Sequence, residues 1–501
     1  MDTSSGRFFV VPGAVDVARL ARKTGKVRLK LISSSEIRDF ALLDCFDQSL
    51  RRSGRGLLDT GDRLYLLGAD GTVSDQSGLR SGRFVTDLPA GPVRVALARF
   101  PPLRALLEMC RGRAEMRRAV VTEKQREVGQ AGFLTLKTGS GEVTLVIPDP
   151  GQDKAHNLLK TQMTGAGADV STLFSTLAPD LAVYRAKPKI RMRPAEPAIE
   201  VANDLIRAHL QVARQNEAGI IADHDTEFLH DYRVALRKVR SVLSLFKGVY
   251  ADELTVALKQ EFADLMTATG RLRDLDVYLL ERPRYFDLLP GSLHGGLEAM
   301  FTQFERDRAA EHRKLAKRLR SAGYAASVSD LEALFDSPNG LKPGPRAQLA
   351  ASDYACRLIW KRYRKVCRIA RAIDARTPDE EVHALRLQCK KLRYLMEFFD
   401  PLFDTRSFRK GLKPLKKLQE NLGLFNDYSV QQEALLAFLG TGKRRGEPDA
   451  EIALAVGGLI TVLSRRQRAE RGRVERSIAK FDSDRTRRVF RTLFHQPLER
   501  V

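Results

Sequence analysis

A basic, histidine-led stretch occurs twice in this chain, 153 positions apart and with no insertion between the matched parts. The first copy reads His230-x-x-Arg233-x-x-x-Arg237-Lys238-x-Arg240 and the second His383-x-x-Arg386-x-x-x-Lys390-Lys391-x-Arg393. Each runs into an apolar end, Leu245-Phe246 and Phe398-Phe399. Forty positions after each histidine a second block matches, Gly270-x-x-Arg273-Asp274-x-x-Val277 against Gly423-x-x-Asn426-Asp427-x-x-Val430. A register held across both blocks predicts one helical hairpin used twice, in two halves related by a pseudo-twofold axis.

At about 100° per residue, His230, Arg233, Arg237 and Arg240 share one arc of roughly 80° of a helix. Leu229, Tyr232, Leu236, Val239, Leu243 and Phe246 fill the arc beside it. The second copy repeats this, with Val382, Leu385, Cys389, Leu392, Met396 and Phe399 beside His383, Arg386, Lys390 and Arg393. An apolar stripe flanked by a basic one suits a helix that borders a cleft. Like charges lining a cleft are costly unless an anion enters it, and guanidinium forks mixed with mobile ammonium groups suit a row of phosphates. One such helix alone would read as a solvated face. Two copies in one register argue against that, because exposure to water demands no register.

Composition narrows the partners. A formal charge of +23 and a pI near 10.0 gather polyanions, which leaves nucleic acid, anionic lipid and inorganic polyphosphate as candidate classes. The positive excess extends over both parts of the chain, so charge alone does not locate a site. With 43% hydrophobic residues in 501, whole-chain disorder is excluded and several full cores are possible. The 5 cysteines are odd in number and form no CxxC pair, which predicts buried thiols in a reducing, cytoplasmic setting. Neither a secretory signal nor an 18-residue apolar run is visible, so no membrane span is expected.

Along the chain, residues 1–185 read as an α+β domain, with β-rich runs at 7–11, 27–31, 92–97 and 142–147 and a helical stretch at 101–116. The proline-rich, basic stretch 186–197 reads as a linker. Beyond it the pattern is helical, and a turn-rich segment at 336–345 separates residues 198–335 from 346–501, each with one copy of the repeat. The plan is a multi-domain protein, an α+β domain followed by two helical bundles.

The repeated blocks, together with Asp231-Tyr232 and Gly270-Arg271-Leu272-Arg273-Asp274-Leu275-Asp276-Val277, resemble the CHAD domain family over about residues 198–501. That resemblance implies an all-α domain of two pseudo-symmetric four-helix bundles, and a basic central channel that binds inorganic polyphosphate without hydrolysing it. It also implies association with polyphosphate granules. The family's basic positions carry over onto His230, Arg233, Arg237, Lys238 and Arg240 and onto His383, Arg386, Lys390, Lys391 and Arg393, with Arg273 in the second block. The second hairpin departs from the first in having Asn426 and Ser429 where the first has Arg273 and Asp276. Lys361, Arg364, Lys413, Lys416 and Lys417 on neighbouring helices are candidates to extend the track.

Residues 1–185 resemble the CYTH, or triphosphate-tunnel, fold. The resemblance rests on Asp44-Cys45-Phe46-Asp47-x-x-Leu50-x-x-x-Gly54 and on an opening strand that runs into Val11-Pro12. The Glu-x-Glu-x-Lys metal signature of that family is missing: the first strand offers Ser4, Gly6 and Phe8, and Val27 and Leu29 stand where a second candidate would need glutamates. Without paired carboxylates a divalent ion has no hard oxygen ligands there, so a degenerate, noncatalytic barrel with no metal or cofactor is expected. Arg94, Arg113, Arg117, Arg118, Lys124 and Lys137 are read as solvated surface rather than phosphate ligands.

Two other functions compete. The same basic track would accept the sugar-phosphate backbone of RNA, although the repeated block puts no aromatic residue on its basic arc for bases to stack upon. A hydrolase reading could start from His230-Asp231, but the second copy has His383-Ala384.

Overall fold

The structure, a computed structural model, describes residues 6–17, 27–32, 35–163, 166–167, 169–337, 340–374, 376–440 and 447–495. Ser4 and the turn residues 338–339 lie outside the described residues. The chain divides into two units, Met1–Ala186 and Lys187–Val501.

The first unit is built on an antiparallel sheet of β1 (Gly6–Arg7), β2 (Phe9–Pro12), β3 (Val27–Leu31), β4 (Glu36–Asp44), β5 (Gly56–Asp59), β6 (Arg63–Leu67), β7 (Thr72–Ser77), β8 (Leu107–Glu123), β9 (Arg126–Lys137) and β10 (Glu142–Pro148). Neighbours follow the order β1-β7-β6-β5-β4-β8-β9-β10-β2, with β3 on β8. Only Phe8 separates β1 from β2, so one segment sits at both ends of that path. Gly6 pairs with Val73 and Val10 with Leu145, which closes the sheet on itself. Closure leaves no long unpaired edge.

Alternate residues point inward. Phe8, Phe40, Leu42, Leu134 and Leu136 fill one part of the interior together with Leu173 and Phe174 of a covering helix, Val170–Leu177. The remainder is a cavity of ≈ 520 Å³ lined in part by Arg38, Arg63 and Arg118. Asp44 of the Asp44-Cys45-Phe46-Asp47 stretch is buried and accepts backbone N–H bonds from Cys45, Leu50 and Arg51 at 2.8–2.9 Å, which shapes the turn into a short helix, Ser49–Arg52. Burial nevertheless pushes its carboxyl up to about 6.

Two expectations for this unit are overturned. Residues 92–97, read as a strand, form a short helix, Pro92–Ala96. Proline fixes the helical φ at its start, and the Gln76 side-chain oxygen accepts from the Val93 and Arg94 amides at 2.8 and 3.3 Å. Residues 101–116, read as helical, enter the strand Leu107–Glu123. Its Leu, Glu, Met and Arg residues favour helices locally, but pairing with β4 on one side and β9 on the other overrides that preference.

The second unit is helical: α5 (Ala198–Ile221), α6 (Thr226–Leu245), α7 (Asp252–Thr267), α8 (Gly270–Leu280), α9 (Arg282–Phe286), α10 (His294–Leu319), α11 (Ala322–Asp336), α12 (Ala351–Arg371), α13 (Asp379–Phe399), α14 (Thr405–Gly440), α15 (Glu447–Phe481) and α16 (Asp484–Phe494), with four helices among the described residues of the first unit counted as α1 (Ser49–Arg52), α2 (Pro92–Ala96), α3 (Asp153–Gln162) and α4 (Val170–Leu177). The repeat reaches beyond the motifs. α5 and α12, α6 and α13, α7 and α14, and α10 and α15 all start one repeat, 153 positions, apart. The largest departure is that α7 and α8 are separate where α14 runs on unbroken.

Residues that touch their own equivalents mark the pseudo-twofold axis. Ala198 N donates to Leu349 O at 2.9 Å and Ala351 N to Glu196 O at 2.8 Å, two bonds that exchange under the repeat. Phe246 and Phe399, also one repeat apart, stack with centroids 4.9 Å apart and planes 9° from parallel. Such a pair contributes about 0.5–1.5 kcal/mol beyond its burial. Residues 194–196, inside the stretch read as a linker, are therefore bonded into the helical unit, with Ser352 N also donating to Pro194 O at 3.0 Å. The halves share a core: Leu297, Met300, Phe301 and Phe304 of α10 pack with Phe438 of α14 and Ala455, Val456 and Leu459 of α15. Gly296 permits that approach, because a Cβ there would lie 2.2 Å from the Glu451 carbonyl oxygen. Among the described residues no helix is long and apolar enough to cross a membrane, and all five cysteines are free thiols.

Candidate functional site

The site is built on α6 and α13. Asp225 caps α6, its carboxylate accepting from the Glu227 amide at 2.9 Å and the Phe228 amide at 3.3 Å, a cap contributing about 1 kcal/mol. α13 has Pro378 at that place and begins instead with Asp379, Glu380 and Glu381, which complement the helix dipole. Both helices bury the apolar stripe expected of them, Leu229, Tyr232, Leu236, Val239 and Leu243 in one and Val382, Leu385, Cys389, Leu392 and Met396 in the other. The basic stripe is then half-buried at His230, Arg233, Arg237 and Lys238 and at His383, Arg386, Lys390, Lys391 and Arg393; only Arg240 is exposed.

Equivalent cations come near enough across the axis to influence one another. Lys390, one repeat from Arg237, has its ammonium pushed down to about 8, by burial first and then by Arg237, Arg386 and Arg393, with Asp427 opposing. Arg233 is likewise shifted down, by burial and then by Arg237 and Arg273, against Asp274. Positive charge is thus crowded into a partly dehydrated place with few carboxylates to answer it.

Each histidine holds the second block of its own half. His230 Nδ1 lies 3.0 Å from Arg273 Nη2, and His383 Nδ1 lies 3.1 Å from Asn426 Oδ1. Arginine has only donors, so His230 accepts at Nδ1 and carries its proton on Nε2; His383, facing an amide oxygen, donates from Nδ1. The exchange of Arg273 for Asn426 therefore keeps the contact and changes the tautomer. The other departure, Asp276 for Ser429, is structural. Asp276 is buried and accepts from Arg308 Nε at 2.8 Å, while the same guanidinium grips Asp223 at 2.7 Å.

Lys238 and Lys391 are equivalent and differently employed. Lys238 reaches across the halves to Glu397 and lies 4.3 Å from the Tyr394 ring centroid and 5.0 Å from that of Phe398. Burial holds its ammonium below the usual lysine range, and Glu397 opposes that shift. Nearby His209 is pushed down to about 4 by burial and by Lys238. At the equivalent place beside Lys391 stands Arg362, which hydrogen-bonds Gln388. Lys391 is shifted down by burial, Arg362, Lys365 and Lys247, and no ion pair is formed by it among the described residues. Arg362 was not anticipated from sequence. The repeat held the signal, since counting 153 back from Arg362 reaches His209, but neither motif includes the pair.

The candidates outside the motif are not gathered here. Arg364 lines a separate groove between α12 and α16. Lys413 lines a shallow depression with Arg406, Arg409 and Lys410. Lys417 is exposed and pairs with Glu420 at 3.1 Å. Lys361 and Lys416 are exposed. The reason is helical phase: on α12, Arg362 turns toward α13, so Lys361 and Arg364 lie off that face. Arg393, on the motif itself, is partly spent on Glu397.

In the first unit, each of the three arginines that line the cavity inside the closed sheet is paired with a carboxylate. Arg38 meets Asp62 and Glu36, Arg63 meets Asp75, and Arg118 meets Asp149. Carboxylates engaged in this way do not fit a divalent ion, and no group of three or more His, Cys, Asp or Glu able to hold a metal occurs among the described residues. Arg113 and Arg117 pair with Asp39 and Glu115, and Arg94 donates to the Leu88 carbonyl at 3.2 Å.

Residues 204–436 match the CHAD domain family, and the helical unit is accordingly a CHAD domain over that range. The match ends within α14, short of the 198–501 expected from the motifs. Among solved structures the chain is similar to the CHAD domain from the plant Ricinus communis, at 23% identity and a TM-score of 0.49, over 59% of this chain and 96% of that one. It is also similar to PptA from Streptomyces chartreusis, at 16% identity and a TM-score of 0.44, over 56% and 99%. No curated protein matches the chain.

Proposed function

We propose that the protein binds inorganic polyphosphate on the basic face shared by α6 and α13, holds it without hydrolysing it, and is carried by that binding to polyphosphate granules in the cytoplasm. The observation that supports this most is the nearness of Arg237 to Lys390, equivalent cations on the two helices, with the lysine pushed down by burial first and by Arg237 next. A chain of phosphates relieves that repulsion and supplies acceptors for both halves at once, whereas a small monovalent anion answers only one of them. The groups present are forks and point charges, suited to holding phosphate oxygens rather than to activating water.

RNA is the second reading, because its backbone offers the same charge. Competition on the full chain separates the two. Long-chain polyphosphate is expected to displace labelled RNA at far lower phosphate concentration than RNA displaces labelled polyphosphate, and both affinities should fall steeply with salt. The reverse ranking would replace polyphosphate by RNA. Release of orthophosphate on incubation would end the non-hydrolytic reading.

A further inference from the structure

Arg364, left over from the basic track, belongs to a different place: an open groove of ≈ 1130 Å³ between α12 and α16. We infer that this groove is a second anion site, selective for a phosphorylated nucleoside, either free or as a unit of a single strand. The inference uses none of the α6–α13 contacts.

Two features lie together here. The first is unanswered charge. Arg364 and Arg368 of α12 and Arg488 and Arg491 of α16 line the groove from both sides, all exposed, and no ion pair is formed by any of the four among the described residues. The acids present are used on other arginines, Asp482 on Arg371 at 2.6 Å and on Arg487 at 3.6 Å, and Asp484 on Arg487 at 3.4 Å. The second feature is an aromatic wall. Trp360 lies over Tyr363 with centroids 5.7 Å apart and planes 28° from parallel, and His495 meets it edge-on at 5.0 Å. Tyr363 is in turn stacked on Phe490 at 4.0 Å, which packs the wall against α16. Guanidinium groups hold phosphate, and a base gains stacking energy on an indole; neither feature alone would need the other.

The first half shows that the fold does not require this. Where α11 packs on α5, Arg207 occupies the position equivalent to Trp360, and it faces Asp336 at 4.0 Å. Arg214 faces Glu332 at 3.3 Å. α11 has no lysine or arginine, whereas α16 carries Arg485, Arg487, Arg488 and Arg491. One edge is closed by ion pairs and the other is left open and cationic.

Trp360 is the sole tryptophan of the chain, so its emission reports this groove directly. The full-length protein is titrated with ATP, with a short oligoadenylate and with inorganic tripolyphosphate. ATP or the oligonucleotide is expected to quench the emission at concentrations at least tenfold below those at which tripolyphosphate does so. Whichever of the two acts at the lower concentration identifies the free or the strand form. Arg368→Glu with Arg491→Glu should raise the half-quenching concentration more than tenfold and leave polyphosphate binding in place. Equal quenching by tripolyphosphate, quenching that survives the double substitution, or no change in emission with any of the three would overturn the inference. The first and last outcomes need no variant, so they hold whatever the substitutions do to folding.

Discussion

At equivalent positions the first half of the helical unit has His209, Lys238 and Thr269, and the second has Arg362, Lys391 and Leu422. The backbones agree: the helices start in register, and a stacked phenylalanine pair and an exchanged pair of backbone bonds sit on the axis between them. The use of charge does not agree. In the first half Arg233 donates to Thr269 Oγ1 at 2.5 Å and toward Met266 O at 3.4 Å, at the break between α7 and α8. Lys238 is tied to Glu397 and His209 is held neutral. In the second half there is no break to bind, Arg386 pairs with Asp427 at 3.9 Å, and Arg362 and Lys391 stand together. Duplication fixed where side chains sit, while the ionic partners were free to diverge. The two halves therefore spend different cations on structure, Arg233 and Lys238 in the first and Arg386 and Arg393 in the second.

The largest effect should come from breaking what the halves share. Arg237→Glu with Lys390→Glu removes two charge-assisted contacts and adds repulsion, and should weaken polyphosphate binding by about a hundredfold. Arg51→Glu with Arg52→Glu in the first unit changes net charge equally and should change binding less than about threefold, as read by filter binding at fixed salt. Equal losses would make bulk charge the cause.

What the halves do not share gives a smaller, opposite pair of effects. Lys238→Gln leaves Glu397 with Arg393 as its remaining cation and should cost about 2 kcal/mol of stability in denaturant unfolding. Lys391→Gln should leave stability within about 0.5 kcal/mol and weaken polyphosphate about tenfold. If Lys238→Gln instead lowers affinity with stability unchanged, the halves are not divided as described.

The pH dependence sharpens the same contrast. Lys390 has its folded value pushed down to about 8. A bound polyanion favours the ammonium and raises that value, so the complex holds a proton that the free protein has lost above pH ~8. Affinity should fall by several-fold between pH ~7.5 and ~9.5, with proton uptake on binding seen by calorimetry in buffers of different ionisation enthalpy. Lys390→Met should remove both effects, and an unchanged profile would take Lys390 out of the site.

The repeat made the pairing of α6 with α13 legible, because a register is a property of the sequence itself and its apolar arcs name the buried stripe. Neither motif reaches α12, where only the 153-position offset from His209 marks Arg362, while local charge picks out Lys361 and Arg364. One residue of phase, about 100° on a helix, separates a side chain on the site from one off it. In the first unit the exchange of strand and helix at 92–97 and 101–116 has another cause. Both windows have locally ambiguous residues, and their conformations are decided by β4, β9 and the Gln76 side chain, which are distant in sequence. The closed sheet could not be read from local pattern, since closure rests on Phe8 joining two pairings at opposite ends of the sheet.

Diffraction from crystals grown with tripolyphosphate tests most directly whether the two halves hold one anion jointly. The expected result is a phosphate chain with oxygens within hydrogen-bond distance of both Arg237 and Lys390. Density confined to the groove between α12 and α16, with the α6–α13 face vacant in crystals of protein that binds polyphosphate in solution, would contradict it.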